Sequence, residues 1–321
     1  MSLIFRMDGS TQEYVTIKAI LNMPRREKKL AQGYQEMPPK VSSFQHFRRV
    51  FFSRGVVVFG FIVVMLFMLM AVFSPLIAPY DPYAQNLDNV MAKPSLTHWL
   101  GTDTVGRDTL SRIIYGSRIS LMVGVVALGL AAGIGLFLGL VAGYFGGITN
   151  SIIMRFIDTL MTIPMMLLAL TIAAVLGGGL TNVIIALGIA LIPTYARLMC
   201  GQAMAIKQND YVTAARSIGA SNLRTMMRHV APNCFPPLIV MMTMQIGITI
   251  LAEAGLSFLG IGINPPGAAW GAMVSEGYRY LTTNPMLSFA PGLAIMLVVF
   301  AFNMIGDGLR DALDPRLRGT L

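Results

Sequence analysis

The chain has 321 residues, of which 55% are hydrophobic and only 12% charged, a balance that excludes an ordinary soluble domain and fits a membrane protein of several spans. The formal net charge of +9 is concentrated, because residues 1–54 hold ten Lys and Arg against four acids. Such a tail suits anionic lipid, and with no aromatic-interleaved basic groove beside it no nucleic-acid partner is expected.

Residues 1–40 are polar and carry no early apolar run, so no cleavable leader is expected. Residues 44–52 mix aromatics with Arg48 and Arg49, which suits an interfacial helix or, equally, a solvated basic linker. A first span is predicted over 56–77, uncharged and, at about 1.5 Å per residue, long enough for a hydrocarbon core of about 30 Å. Residues 78–118 turn polar, with Pro79, Pro82 and Pro94, and read as an external loop ending in an amphipathic helix. Within it Gly101 and Gly106 mimic the glycine spacing of a phosphate loop. Arg107 and Asp108 stand where that loop needs Lys and a hydroxyl, so the phosphate reading is rejected.

A second span, 119–143, carries Gly135, Gly139 and Gly143 at four-residue intervals, with Gly129 and Gly133 beside them. Small residues so spaced let helix backbones approach closely in lipid, against a neighbouring span or a partner. A third span, 151–176, holds Arg155 and Asp158 three apart, expected to form an ion pair at the membrane edge, and Pro164, expected to kink it. A fourth, 181–199, leads into a polar insert reaching residue 232. The fifth ends near 256 and contains Glu253, a possible pathway residue because an intramembrane acid is costly. A polar segment, 257–285, includes the helix-breaking Asn264-Pro265-Pro266-Gly267 and a surface or re-entrant helix with Trp270 at the interface. The last span, 286–305, is expected to stop at Gly306-Asp307-Gly308. Cys200 and Cys234 lack metal or redox spacing and are expected to be free thiols.

The insert divides into two short amphipathic helices. In the first, Tyr211, Ala214, Ala215 and Ile218 repeat at helical intervals and so share a face, with Asp210 as cap and Gly219 as a left-handed stop. In the second, Ser221 is the cap, Leu223, Met226, Met227 and Val230 form the apolar side, and Pro232 stops the pattern and opens a new helix. The unit is too polar to cross a bilayer and too small to fold alone. It needs a partner surface.

Thr213-Ala214-Ala215, then Gly219, His229, Ala231 and Pro232 reproduce in full the spacing of the EAA loop of ATP-binding cassette importer permeases, which this insert resembles. Thr213, His229 and Ala231 replace that pattern's Glu, Ile and Leu. The absent Glu would have closed a capping box with Asp210. Around it, residues 98–112, Arg228 to Asn233, Glu253 to Gly260 and Asn303 to Arg316 resemble the second permease subunit of dipeptide and oligopeptide importers, a group that nickel and glutathione importers share.

The resemblance implies an all-α polytopic membrane protein with six transmembrane helices and a type I importer fold, a tail at 1–55, a permease domain at 56–321 and a coupling loop at 201–232. It also implies that residues 210–218 dock in a groove of a separate ATPase. The expected partners are two such ATPases, a second homologous permease and an extracytoplasmic peptide-binding protein. This chain would bind no cofactor or metal and catalyse nothing itself, and ATP and Mg would sit on the ATPases. The setting would be a bacterial or archaeal cytoplasmic membrane. With both termini inside, six crossings place 19 basic residues on the cytoplasmic side against five outside, as the positive-inside rule requires. An ion-coupled transporter would need charged groups near the midplane, and an intramembrane enzyme a paired catalytic constellation. Neither pattern is present.

Overall fold

The computed structural model describes residues 43–263 and 266–313, and those from Phe47 on form one compact unit. The basic tail of residues 1–42, Asn264 and Pro265, and Arg316 and Arg318 lie outside the described residues. Among the described residues the structure is all-helical. Five helices are long and apolar enough to cross a membrane, or six if one bent pair counts as a span.

Helix α1, Ser43–Phe51, turns its Val50 and Phe51 onto Val57 and Ala312 and exposes Arg48 and Arg49. Helix α2, Gly55–Val72, is shorter than the predicted span, with a break at Phe73 before a single turn, α3, Ser74–Ile77. The cause is Pro75, which has no N–H for the Ala71 carbonyl. The Ser74 hydroxyl donates to that carbonyl instead, at 3.3 Å.

Helix α4, Thr109–Phe145, fuses the predicted amphipathic helix and second span into one run of 37 residues. Asp108 caps it, its Oδ2 accepting from the Ser111 N–H and hydroxyl at 2.8 Å each. The glycine seam lies against α7, Leu180–Lys207. A Cβ at Gly139 would meet the Ala196 carbonyl oxygen at 2.2 Å, and one at Gly143 the Cys200 oxygen at 2.6 Å. The close packing expected of these glycines is therefore within the chain, while Gly129 and Gly133 face open space.

The predicted third span is two helices, α5, Gly147–Met161, and α6, Met165–Leu176, bent by 86° about Pro164. Proline removes a helical hydrogen bond and pushes the residue before it out of the α region, which explains the break. The expected Arg155–Asp158 pair does not form. Asp158 accepts from Arg197 of α7, and Arg155 points outward, because the facing helix brings a better-placed cation.

After the insert, α10, Ala231–Phe258, packs against α4 and against α12, Met286–Leu313. The last helix runs well past residue 305, straight through its two glycines. A Cβ at Gly306 would meet Met244 at 2.2 Å and one at Gly308 would meet Val57 at 2.5 Å, so these residues serve close packing rather than a stop. Between α10 and α12 lies α11, Trp270–Tyr278. Trp270 is fully buried, not interfacial: its Nε1 donates to the Ile113 carbonyl at 2.9 Å and its ring meets Phe67 edge-on at 5.6 Å. Cys200 and Cys234 are free and buried.

Candidate functional site

The insert holds helix α8, Asp210–Ser217, and the single turn α9, Asn222–Thr225. The cap of α8 is Asn209 in extended conformation, with no side-chain cap bond, and Asp210 is the first helical residue. There its charge still complements the positive end of the helix dipole. With the cap one residue earlier than expected, the third helical position is Val212. A Glu at 213 would close no capping box, so Thr213 costs that helix start nothing.

The expected single apolar face is divided. Val212 (0% exposed) and Ala215 (8%) turn inward, whereas Tyr211, Ala214 and Ile218 are exposed, the last at 87%. Inside, Val212 joins a cluster with Tyr144 of α4, Met199 and Ala203 of α7, Met226 and Val230 from the second half of the insert, and Cys234 just beyond it. One side of α8 thus holds it to the chain. The other is left bare.

Gly219 ends α8 at φ +83°, as its type suggested. The Gly219 N–H donates to the Arg216 carbonyl at 2.9 Å and the Ala220 N–H to the Ala215 carbonyl at 3.1 Å, which is the two-bond left-handed closure. Ser221 then caps α9 through the Arg224 N–H at 3.4 Å.

Pro232 does not stop the winding. The run Asn222–Phe258 is continuous, and a π turn, Met226–Val230, carries it past the proline into α10. The Ala231 N–H reaches the Met226 carbonyl five residues back. Pro232 has no proton for Arg228, and a wide turn absorbs that loss. It also shifts the buried face to Thr225, Met226 and Val230, leaving Leu223 and Met227 exposed.

The other end of α4 is closed by charge. Asp103 pairs through Oδ2 with Arg107 Nε at 2.6 Å and lies 3.4 Å from Arg112 Nε, all three side chains at most 7% exposed. Glu276 of α11 accepts from the Thr104 hydroxyl and sits 3.6 Å from the Arg107 guanidinium, fastening the loop to α11. The two glycines that mimic a phosphate loop are turn residues at φ +75° and +79°. A Cβ at Gly106 would lie 1.8 Å from the Asn86 carbonyl oxygen, so that glycine admits a crossing strand of backbone.

Glu253 lies near the far end of α10 from the insert and is fully buried. Its carboxylate accepts from the Ser257 hydroxyl at 2.7 Å and from Ser120 of α4 at 3.4 Å. These bonds make it a brace between α10 and α4. Tyr144, Lys207 and Val212 went unremarked in the sequence. The available signal for Tyr144 was its position one residue beyond the glycine seam.

The family model described as "Binding-protein-dependent transport system inner membrane component" matches residues 135–319, and that of the "N-terminal TM domain of oligopeptide transport permease C" matches residues 42–94. The chain is 44% identical over 306 residues to the glutathione transport system permease protein GsiD of Shigella boydii serotype 4, covering 94% of this chain and 97% of that one. It is 45% identical over 259 residues, 80% and 85% of the two chains, to GsiD of Escherichia coli O6:K15:H31. Among solved structures it resembles a chain of the MetNI methionine ABC transporter in inward-facing form, with a TM-score of 0.53 at 18% identity, over 63% of this chain and 96% of that one. A multi-pass helical bundle with a short polar helix pair between two spans, matched along nearly its whole length to such permeases, belongs to the inner-membrane permease family of binding-protein-dependent ABC importers.

Proposed function

We propose that the chain is one of two permeases forming a path for short peptides, with glutathione, itself a peptide, as the first substrate to test. Its identity to GsiD proteins over most of its length supports that choice. ATP and Mg bind and react on two separate ATPase subunits, and an extracytoplasmic binding protein delivers the substrate. The termini and the insert face the cytoplasm, in keeping with the distribution of basic residues. Transport proceeds by alternating access: ATPase closure pulls α8, and α8 moves the spans.

The observation that carries this reading is the divided face of α8. Val212 and Ala215 anchor it within the chain, and Tyr211, Ala214 and Ile218 stand exposed beside one another, ready for a groove on another subunit. A force-transmitting helix needs both sides: one to grip the motor, one to move the bundle.

The test introduces Ile218→Cys and exposes native membranes to a short bifunctional thiol reagent with a cysteine placed in the groove of the co-encoded ATPase. An adduct that forms in one nucleotide state and not the other supports the reading. Uptake of labelled glutathione, competed by di- and tripeptides, then assigns the substrate. Absence of any adduct, or uptake driven by a proton gradient without ATPase, overturns the mechanism.

A further inference from the structure

We infer that Tyr144 is the positioning residue that joins α8 to the two longest helices it must move, so that α4, α7 and the insert travel as one body. The inference rests on the coupling role proposed for α8.

Tyr144 is the penultimate residue of α4 and is 1% exposed. Four connections meet on it. Lys207, the last residue of α7, donates from Nζ to the Tyr144 carbonyl at 2.5 Å and lies over its ring, 5.6 Å from the centroid. Arg216 of α8 also lies over the ring, with Cζ 5.0 Å from the centroid. The phenol hydroxyl donates to Asn222 Oδ1 of α9 at 3.1 Å. The ring packs in the apolar cluster with Val212. A single aromatic side chain therefore touches the end of each of two spans and both helices of the insert.

The chemistry suits a joint. A cation held over an aromatic face is attracted by the ring's quadrupole. Lys207 is further drawn to the C-terminus of α4, where the carbonyls lack helical partners and the dipole is negative. Arg216 is the only basic residue of α8. Its guanidinium covers Tyr144 from the insert side, so a pull on α8 is transmitted to the ring.

What happens above the joint follows from the glycine seam. Gly135, Gly139 and Gly143 place the backbone of α4 directly on α7, against the carbonyl oxygens of Ile192, Ala196 and Cys200. Two helices in backbone contact cannot slide without collision. At about 1.5 Å per residue, α4 extends for about 55 Å, so a displacement at Tyr144 reaches the Asp103–Arg107–Glu276 cluster at its other end. Tyr144 passes the motion on without touching substrate or nucleotide.

The test uses the whole complex, this chain with its partner permease, ATPases and binding protein, in nanodiscs. Spin labels are placed at Ser217→Cys on the insert, off the Tyr211–Ala214–Ile218 face, and Arg118→Cys on α4, both exposed positions, while the native Cys200 and Cys234 are buried. Their separation is measured by pulsed electron paramagnetic resonance without nucleotide and after trapping with ATP and vanadate. With Tyr144 intact, the distance is the same in both states although each label moves relative to the partner permease. In Tyr144→Leu and in Arg216→Gln, the distribution shifts or broadens by several ångströms on trapping. Tyr144→Phe, which keeps the ring and loses only the Asn222 bond, behaves nearly as the parent. Arg216 is exposed, so its variant tests the joint without disturbing the buried cluster. If both disrupting variants keep a fixed distance, or the parent chain itself changes distance, the inference fails. Failure of the ATPases to co-purify with the parent chain would instead overturn the coupling role.

Discussion

At its first turn α4 is fastened by charge and at its last by aromatic and apolar contact. Near Asp108, buried carboxylates and guanidiniums pair with one another, and Glu276 draws α11 into the same network. Near Tyr144, α8 is held by Val212, Ala215 and Arg216, and the insert presents Tyr211, Ala214 and Ile218 to nothing within the chain. The first region finds its ionic partners within the chain. The second leaves a face that nothing within the chain covers, which under the proposed coupling role a partner subunit grips and, through Tyr144, moves together with the spans.

The contrast can be broken from either end. Arg107→Leu breaks the buried pair with Asp103 and leaves that carboxylate only Arg112, 3.4 Å away, as a cation; breaking such a pair costs up to about 3–5 kcal/mol, so thermal melting of the purified chain should fall steeply, or folded yield should collapse. Gly139→Val forces α4 and α7 apart where a Cβ would lie 2.2 Å from a carbonyl oxygen. Overpacking of this kind costs about 1–3 kcal/mol, so melting should fall by less than in the arginine variant, with uptake lost. Ser221→Ala removes the cap of α9 at a cost of about 1 kcal/mol, visible as faster proteolysis of the insert with the bundle unchanged. Ala214→Glu should leave melting unaltered because the position is exposed, yet the ATPases should no longer co-purify. A matching loss at Ala215→Glu would come instead from unseating α8, so its insert should also become protease-sensitive. If Ala214→Glu retains its ATPases, the bare face is not the docking face.

The spans were legible from composition because burial in lipid asks for little more than a long uncharged run, and α4, α7, α10 and α12 all contain the stretches expected. Their ends were not. Gly306 and Gly308 read as a stop, and only the presence of Met244 and Val57 beside them shows that they are packing residues. Asp158 found its partner in Arg197, 39 positions away, a pairing that local spacing cannot reveal. In the insert the helical intervals of the apolar residues were readable, and so were the stop at Gly219 and the cap at Ser221. Which apolar residues turn inward was not readable, since Val212 and Tyr211 are equally suited to burial. Val212 is buried by the cluster it enters, whose Tyr144 comes from a helix more than sixty residues earlier in the chain.

The wide turn at Met226–Val230 stores one surplus residue between α9 and α10. A residue of helix is worth about 100° of rotation, so the azimuth at which the insert meets its surroundings is governed by chain length at that point as much as by side-chain identity. A sibling lacking the surplus residue would aim the same motif about a quarter of a revolution elsewhere. Exchange of ATPases between such siblings is then a question of angular match before it is one of surface chemistry.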